Sequence, residues 1–231
     1  MLKISSMIKM SIKKNALVFG STGLIGSHLV DFLKNDKYYD NIIVCSRKDI
    51  YYQEKNIINH NIDFTNYQSI LSVVKGSTSV FICIGTTQSR VNGDESEYRK
   101  IDYQIPIDVA NACKECKVER ILIVSSAGAD INGNSFYLKL KGEIENDIIK
   151  IKIPSTYIFR PSLLLGNRKE FRGGEKIAQC IMPLFSYFMP RIYRPINAKN
   201  VAKSMIEYSK KPIKGHKIYH YDEINESISD R

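Results

Sequence analysis

Lys14-Asn-Ala-Leu-Val-Phe-Gly-Ser-Thr-Gly-Leu-Ile-Gly26 is an apolar run that breaks into three glycines spaced three apart. Ala16–Phe19 reads as a buried strand, and the pattern Leu24–Lys34 that follows has helical spacing. In such a turn Gly20 permits the reversal from strand to helix, Gly23 lets the backbone approach a pyrophosphate, and Gly26 allows close packing of helix on strand. The start of the helix then offers free N–H groups and a positive dipole end to phosphate. A dinucleotide is the expected ligand.

Outward from this stretch the chain alternates strand and helix. Continuous apolar runs lie at Ile42–Cys45, Val80–Ile84, Ile121–Val124 and Thr156–Phe159, with a weaker alternating candidate at Ile57–Ile62. Continuity of this kind belongs to a parallel sheet covered on both faces. Helical stretches separate the runs at Tyr67–Val74, Ser96–Cys116 and Phe136–Lys150. The fold class expected is α/β: a doubly wound, mostly parallel Rossmann-type sheet with helices on both faces and a small C-terminal substrate-side lobe. Residues 1–13 form a basic extension, and 14–231 one domain, its cofactor part about 14–160 and its substrate-side part about 161–231. The latter holds a polar loop, Gly166–Gly174, the apolar segment Ile177–Met189 broken by Pro183, a helix Ala198–Ser209 and a final strand Lys217–Tyr221.

The chain has 231 residues, 43% of them hydrophobic, enough for one sizeable core. No apolar run reaches the roughly 18 residues of a membrane span. The formal net charge is +10, but the lysines are spread along the chain rather than gathered in a stripe with aromatics. That argues for attraction to phosphorylated small molecules and against a nucleic-acid partner. Five scattered cysteines suit a reducing compartment, taken as the cytoplasm. Lys3, Lys9, Lys13 and Lys14 precede the first acid, Asp31, so organelle targeting stays open. Cys113 and Cys116 form a CxxC without a second ligand pair, and no metal site is expected.

Chemistry enters with Tyr137 and Lys141, four apart on a helix and so on one face. An ammonium near a phenol favours the phenolate, which suits Tyr137 to exchange a proton with a carbonyl or alcohol. The strand Ile121–Val124 ends in Ser125-Ser126 at the edge where open α/β sheets bind ligands, and a hydroxyl there can polarise a carbonyl. Either serine could serve; Ser126 is preferred. After the second strand, where an acidic residue would read a ribose 2′-hydroxyl, stand Arg47 and Lys48, two cations that suit a 2′-phosphate. NADP(H) is therefore favoured, and Asp49 close behind leaves NAD(H) open.

Gly20-Ser-Thr-Gly-Leu-Ile-Gly26, Ser125-Ser126 and Tyr137-xxx-Lys141, in this order, resemble the short-chain dehydrogenase/reductase superfamily. Ile84-Gly-Thr-Thr87, Ser125-Ser-Ala-Gly-Ala-Asp130, Phe136-Tyr-Leu-Lys-Leu-Lys-Gly-Glu143 and Phe159-Arg-Pro161 narrow the resemblance to the human Tat-interactive oxidoreductase family, an atypical branch with a Rossmann fold. The resemblance covers roughly residues 14–222. It implies that Ser21, Thr22, Gly23, Leu24 and Ile25 cradle the pyrophosphate, and that Arg47 and Lys48 meet the 2′-phosphate. By the same resemblance Asp63 and Phe64 contact adenine, while Ile84 and Gly85 line the cofactor. Tyr137 and Lys141 are the active pair, with Lys141 also on the nicotinamide ribose, and Leu164 and Arg172 lie in a loop over the cofactor. Many superfamily members carry an asparagine on the helix after the fourth strand for a proton relay; here the nearest equivalent is Asp102. The branch is also associated with regulatory binding to other proteins. Three functions follow: an NADP(H)-dependent oxidoreductase acting on a small carbonyl substrate, an NADP(H)-sensing binding protein, or a nucleotide-sugar epimerase or dehydratase. Substrate identity and oligomeric state are not readable.

Overall fold

The computed structural model describes residues 13–166 and 190–229. Most of the basic extension, most of the Gly166–Gly174 loop with Arg172, and all of the apolar segment Ile177–Met189 lie outside the described residues.

Seven strands form one sheet: β1 (Asn15–Phe19), β2 (Asn41–Ser46), β3 (Ile57–Asn61), β4 (Ser79–Ile82), β5 (Arg120–Val124), β6 (Ser155–Phe159) and β9 (Gly215–Tyr219). Their order is β3-β2-β1-β4-β5-β6-β9, and every neighbouring pair is parallel. Such a sheet hides both faces, so successive side chains of one strand enter opposite cores. On β1, Ala16 and Val18 join a core with α1 (Leu24–Leu33), α6 (Ala198–Ser209) and Ile224 of α7 (Tyr221–Ser229). Leu17 and Phe19 face the opposite core, with α2 (Tyr67–Val74), α4 (Ile105–Glu115) and α5 (Phe136–Ile151). A short parallel pair, β7 (Leu164–Leu165) with β8 (Ile196–Asn197), stands apart from the main sheet. Within the C-terminal third, β9 extends the main sheet while α6 packs its buried face against that of α1.

Three elements depart from the sequence reading, and the first two have local causes. The helix expected over Ser96–Cys116 is divided into α3 (Glu95–Arg99), a π turn at Lys100–Gln104, and α4. Pro106 lies in the first turn of α4 and has no N–H to give the carbonyl four residues back, that of Asp102. The missing bond falls beside the π turn, where the backbone bonds span five residues instead of four. The last strand runs Gly215–Tyr219 rather than Lys217–Tyr221, because the chain turns into α7 at Tyr221. Glu223 makes that start: its carboxylate accepts from the His220 amide at 3.0 Å, one half of a capping box. β4 begins at Ser79 and ends at Ile82, short of the expected Ile84.

Candidate active site

All seven parallel strands end at one edge, and the strand order reverses between β1 and β4. A crevice opens at such a reversal. Gly20 turns the chain there at φ +86°, and a Cβ on it would lie 2.6 Å from the Cys83 carbonyl group. A Cβ on Gly26 would come within 2.1 Å of the Gly20 carbonyl oxygen, so α1 rests directly on the loop. The Gly23 amide donates to the Gly20 carbonyl at 3.0 Å, and no side chain caps α1. The first-turn amides are thus left to whatever anion enters. Thr22 and Gly23 are exposed, Leu24 half-buried and Ile25 buried. Ser21 is buried beside Tyr52, and its hydroxyl has no hydrogen-bond partner of good geometry among the described residues. A buried hydroxyl of that kind calls for an acceptor, which a phosphate oxygen would supply.

At the ends of β2 and β3 lies a cavity of about 610 Å³ bordered by Arg47, Asp63, Phe64, Thr65, Ile101 and Ile105. Arg47 and its neighbour Lys48 are exposed. The Asp63 carboxylate accepts from the Thr65 hydroxyl at 2.7 Å and the Thr65 amide at 2.8 Å, which holds it below the usual carboxylate range. Phe64 meets Phe19 edge-on, with centroids 6.1 Å apart. Past β4, Ile84 is half-buried and Gly85 exposed, while burial pushes the Cys83 thiol up to about 12. A Cβ on Gly166 would lie 3.1 Å from Leu24, so the chain leaving Leu164 and Leu165 reaches the start of α1. These residues form a cradle that fits a dinucleotide: an open helix start, a buried hydroxyl beside Tyr52, and a cavity bordered by Arg47. Arg172 lies outside the described residues.

The two serines after β5 are distinct. Ser125 is buried; its amide donates to the Phe159 carbonyl at 2.7 Å and its hydroxyl to Glu145. Arg160 clamps that carboxylate, Nε to Oε1 at 2.9 Å and the terminal nitrogen to Oε2 at 2.5 Å. Ser126 is half-buried, and its hydroxyl makes only a 3.3 Å bond to the Ala127 carbonyl. The Ser125 hydroxyl is committed to the interior, whereas that of Ser126 can exchange its weak contact for another.

α5 lies tightly on the loop that follows these serines, since a Cβ on Gly142 would come 2.3 Å from the Ile131 nitrogen. Tyr137, in its first turn, is 36% exposed. Lys141 one turn later is buried, its Nζ 5.8 Å from the centroid of the Tyr137 ring. That Nζ also pairs with Asp102 Oδ2 at 3.1 Å, and Asp102 Oδ1 accepts from the Thr86 amide at 2.6 Å. Burial works to lower the Lys141 pKa; the charges of Asp102, Tyr137 and Glu145 outweigh it and hold the ammonium above the usual lysine range.

Sequence reasoning placed Tyr137, Lys141 and both serines at this edge but missed Thr86, Glu145 and Arg160, and the contact of Asp102 with Lys141. Glu145 had a signal: it stands four residues after Lys141, on the same helix face. Among the described residues no cluster of three or more His, Cys, Asp or Glu could hold a metal. No described helix is long and apolar enough to cross a membrane.

The family model for the NAD dependent epimerase/dehydratase family matches residues 16–134, from β1 to the loop before α5. "Protein FMP52, mitochondrial" of Debaryomyces hansenii is 31% identical over 209 residues, which are 86% of this chain and 89% of that protein. The protein of the same name in Meyerozyma guilliermondii is 34% identical over 207 residues, 86% of this chain and 87% of the relative. Among solved structures, MoeE5 in complex with UDP-glucose and NAD has a TM-score of 0.69 at 15% identity, covering 91% of this chain and 79% of its own. The UDP-N-acetylglucosamine 4-epimerase from Methanobrevibacter ruminantium M1 has a TM-score of 0.69 at 18% identity, covering 91% and 77%. At these identities the structures are similar in fold. The names of the curated relatives overturn the cytoplasmic expectation, since they are called mitochondrial. Scattered free cysteines mark a reducing environment without saying which compartment supplies it.

Proposed function

The chain belongs to the NAD-dependent epimerase/dehydratase family, within the short-chain dehydrogenase/reductase superfamily, and on that premise we propose that it is an NADP(H)-dependent oxidoreductase interconverting a carbonyl and an alcohol. The observation that carries this reading is the buried ammonium of Lys141 beside the exposed ring of Tyr137, at the ligand-binding edge of the sheet. The nicotinamide, when bound, supplies or takes up the hydride. Tyr137 moves the proton to or from the substrate oxygen, and its exposure lets solvent replace that proton. Ser126 donates a hydrogen bond to the same oxygen, and its weak bond to Ala127 is what it gives up. Lys141 contributes fixed positive charge and holds the nicotinamide ribose. Ser21, Thr22, Gly23, Leu24 and Ile25 with the start of α1 hold the pyrophosphate, Arg47 and Lys48 the 2′-phosphate. Asp63, Phe64, Ile84, Gly85, Leu164 and Arg172 complete the cofactor contacts. Residues 14–231 act as one domain, and the mitochondrial names of the relatives support a mitochondrial setting.

Tyr137→Phe tests the assignment. Both proteins should bind NADPH equally in a fluorescence titration, while reduction of a panel of aldehydes and ketones should fall at least about 100-fold in the variant. A panel that neither protein turns over would favour a cofactor-sensing role. Arg47→Ala with Lys48→Ala should reduce the preference for NADPH over NADH at least about tenfold; an unchanged preference would sink the NADP(H) assignment. The family's name favours a second reading, epimerisation or dehydration of a nucleotide sugar. In that case the sugar would change while the reduced-nicotinamide absorbance shows no net loss.

A further inference from the structure

Asp102 and Lys141 have side chains 1% and 8% exposed, and they meet at 3.1 Å. Either charge buried alone would be strongly unfavourable, so each depends on the other. The carboxylate uses both oxygens, one on the Lys141 ammonium and one on the Thr86 amide at 2.6 Å. It thereby joins three parts of the site: α5, the π turn Lys100–Gln104, and the loop after β4. Gly85 lies in that loop, where a Cβ would sit 3.6 Å from Asp102 Oδ2. We propose that Asp102 is a positioning residue of the active site, a direct counter-charge that fixes Lys141 in place as an ammonium. This rests on the reading of Tyr137 and Lys141 given above.

The alternative is that Asp102 only fills space and accepts the Thr86 amide. An asparagine would do both, since its side-chain oxygen is an acceptor of the same size, but it brings no charge. The other ionisable groups facing Lys141 do not replace that charge. Tyr137 and Glu145 stand on its own helix, and Glu145 is already bridged by Arg160 from the end of β6. Without the Asp102 charge, burial acts on Lys141 with less opposition and favours the neutral amine. A neutral amine is a poorer anchor for cofactor and no source of positive field at Tyr137.

The Asp102→Asn variant separates the two roles. In the ligand-free full chain, the Lys141 side-chain nitrogen is followed by NMR, its signal assigned by its loss in Lys141→Met. The proposal predicts that its titration midpoint drops by at least about one pH unit in Asp102→Asn, and that Asp102→Glu restores most of the shift. NADPH affinity, measured across pH by fluorescence, should begin to weaken at correspondingly lower pH in Asp102→Asn. A folded Asp102→Asn protein in which Lys141 titrates as in the wild type, or whose NADPH affinity follows the same pH dependence, would overturn the proposal. Should the variant fail to fold, the wild type decides: Lys141 titrating at or below the exposed lysines would be equally fatal. The NMR readout needs neither cofactor nor substrate. A chain that reduces no carbonyl therefore undermines the oxidoreductase reading and leaves this result standing.

Discussion

At the scale of single residues the glycine loop makes the sharpest demand at Gly26, where a Cβ would stand 2.1 Å from the Gly20 carbonyl oxygen, against 3.2 Å for one on Gly23. Gly26→Ala must lift α1 off the loop and should cost about 1–3 kcal/mol, read as a lower urea midpoint, with loss of NADPH binding. Gly23 has an ordinary φ of −74°, and an added methyl meets that oxygen only at 3.2 Å, so Gly23→Ala should lower the midpoint by less than Gly26→Ala does. Equal destabilisation by the two would contradict this division of labour. The turn at Gly20 and the close packing at Gly26 were legible in sequence because their spacing between strand and helix sets them. The partner of Lys141 was not, since Asp102 is 39 residues away and reaches it only through a π turn. Which serine faces the site was undecided for a similar reason: the Glu145–Arg160 clamp that claims Ser125 forms across α5 and the end of β6.

Elements were legible where one signal dominated. The buried strands announced themselves as unbroken apolar runs, and α2 begins at Asn66, whose side chain accepts from the Gln68 amide at 2.9 Å. Asn66→Ala should cost about 1 kcal/mol, a fall of roughly 2–4 °C in the thermal midpoint for a chain of this size. An unchanged midpoint would mean that packing of Ile70, Val73 and Val74 holds the helix without its cap. Elements were misread where two signals compete. Apolar spacing runs straight through Ser96–Cys116, but Pro106 removes one hydrogen bond and splits the helix, and that fault carries Asp102. At the other end, the residues Lys217–Tyr221 suggested a strand two residues further along the chain, while Glu223 at the third position of a new helix ended it at Tyr219.

For the whole molecule, the two-faced parallel sheet followed from the alternation of apolar runs with helical spacing, and the comparisons bear out that fold class. Stability should fall away on both sides of neutrality, for opposite reasons. Lys150 holds the Asp147 carboxylate below its ordinary 3.8, so that contribution is complete above 3.8 and is lost as pH falls through the lower folded value. Lys141 is held above its ordinary 10.5, so its contribution is complete below 10.5 and is lost as pH rises through the higher folded value. Urea midpoints across pH should show both limbs, with Asp147→Asn making the acid one shallower while Asp63 and Asp94, also held low, keep the rest of it. In the oxidoreductase reading proposed above, this architecture brings hydride and proton to one substrate carbonyl. NADPH with both hydrogens at nicotinamide C4 replaced by deuterium, incubated with the protein and a carbonyl panel, is the decisive test, read by mass spectrometry of the alcohols formed. Deuterium should appear on the former carbonyl carbon with the wild type, and at least about 100-fold more slowly with Tyr137→Phe; a wild-type protein that binds NADPH yet labels no alcohol would contradict the oxidoreductase reading.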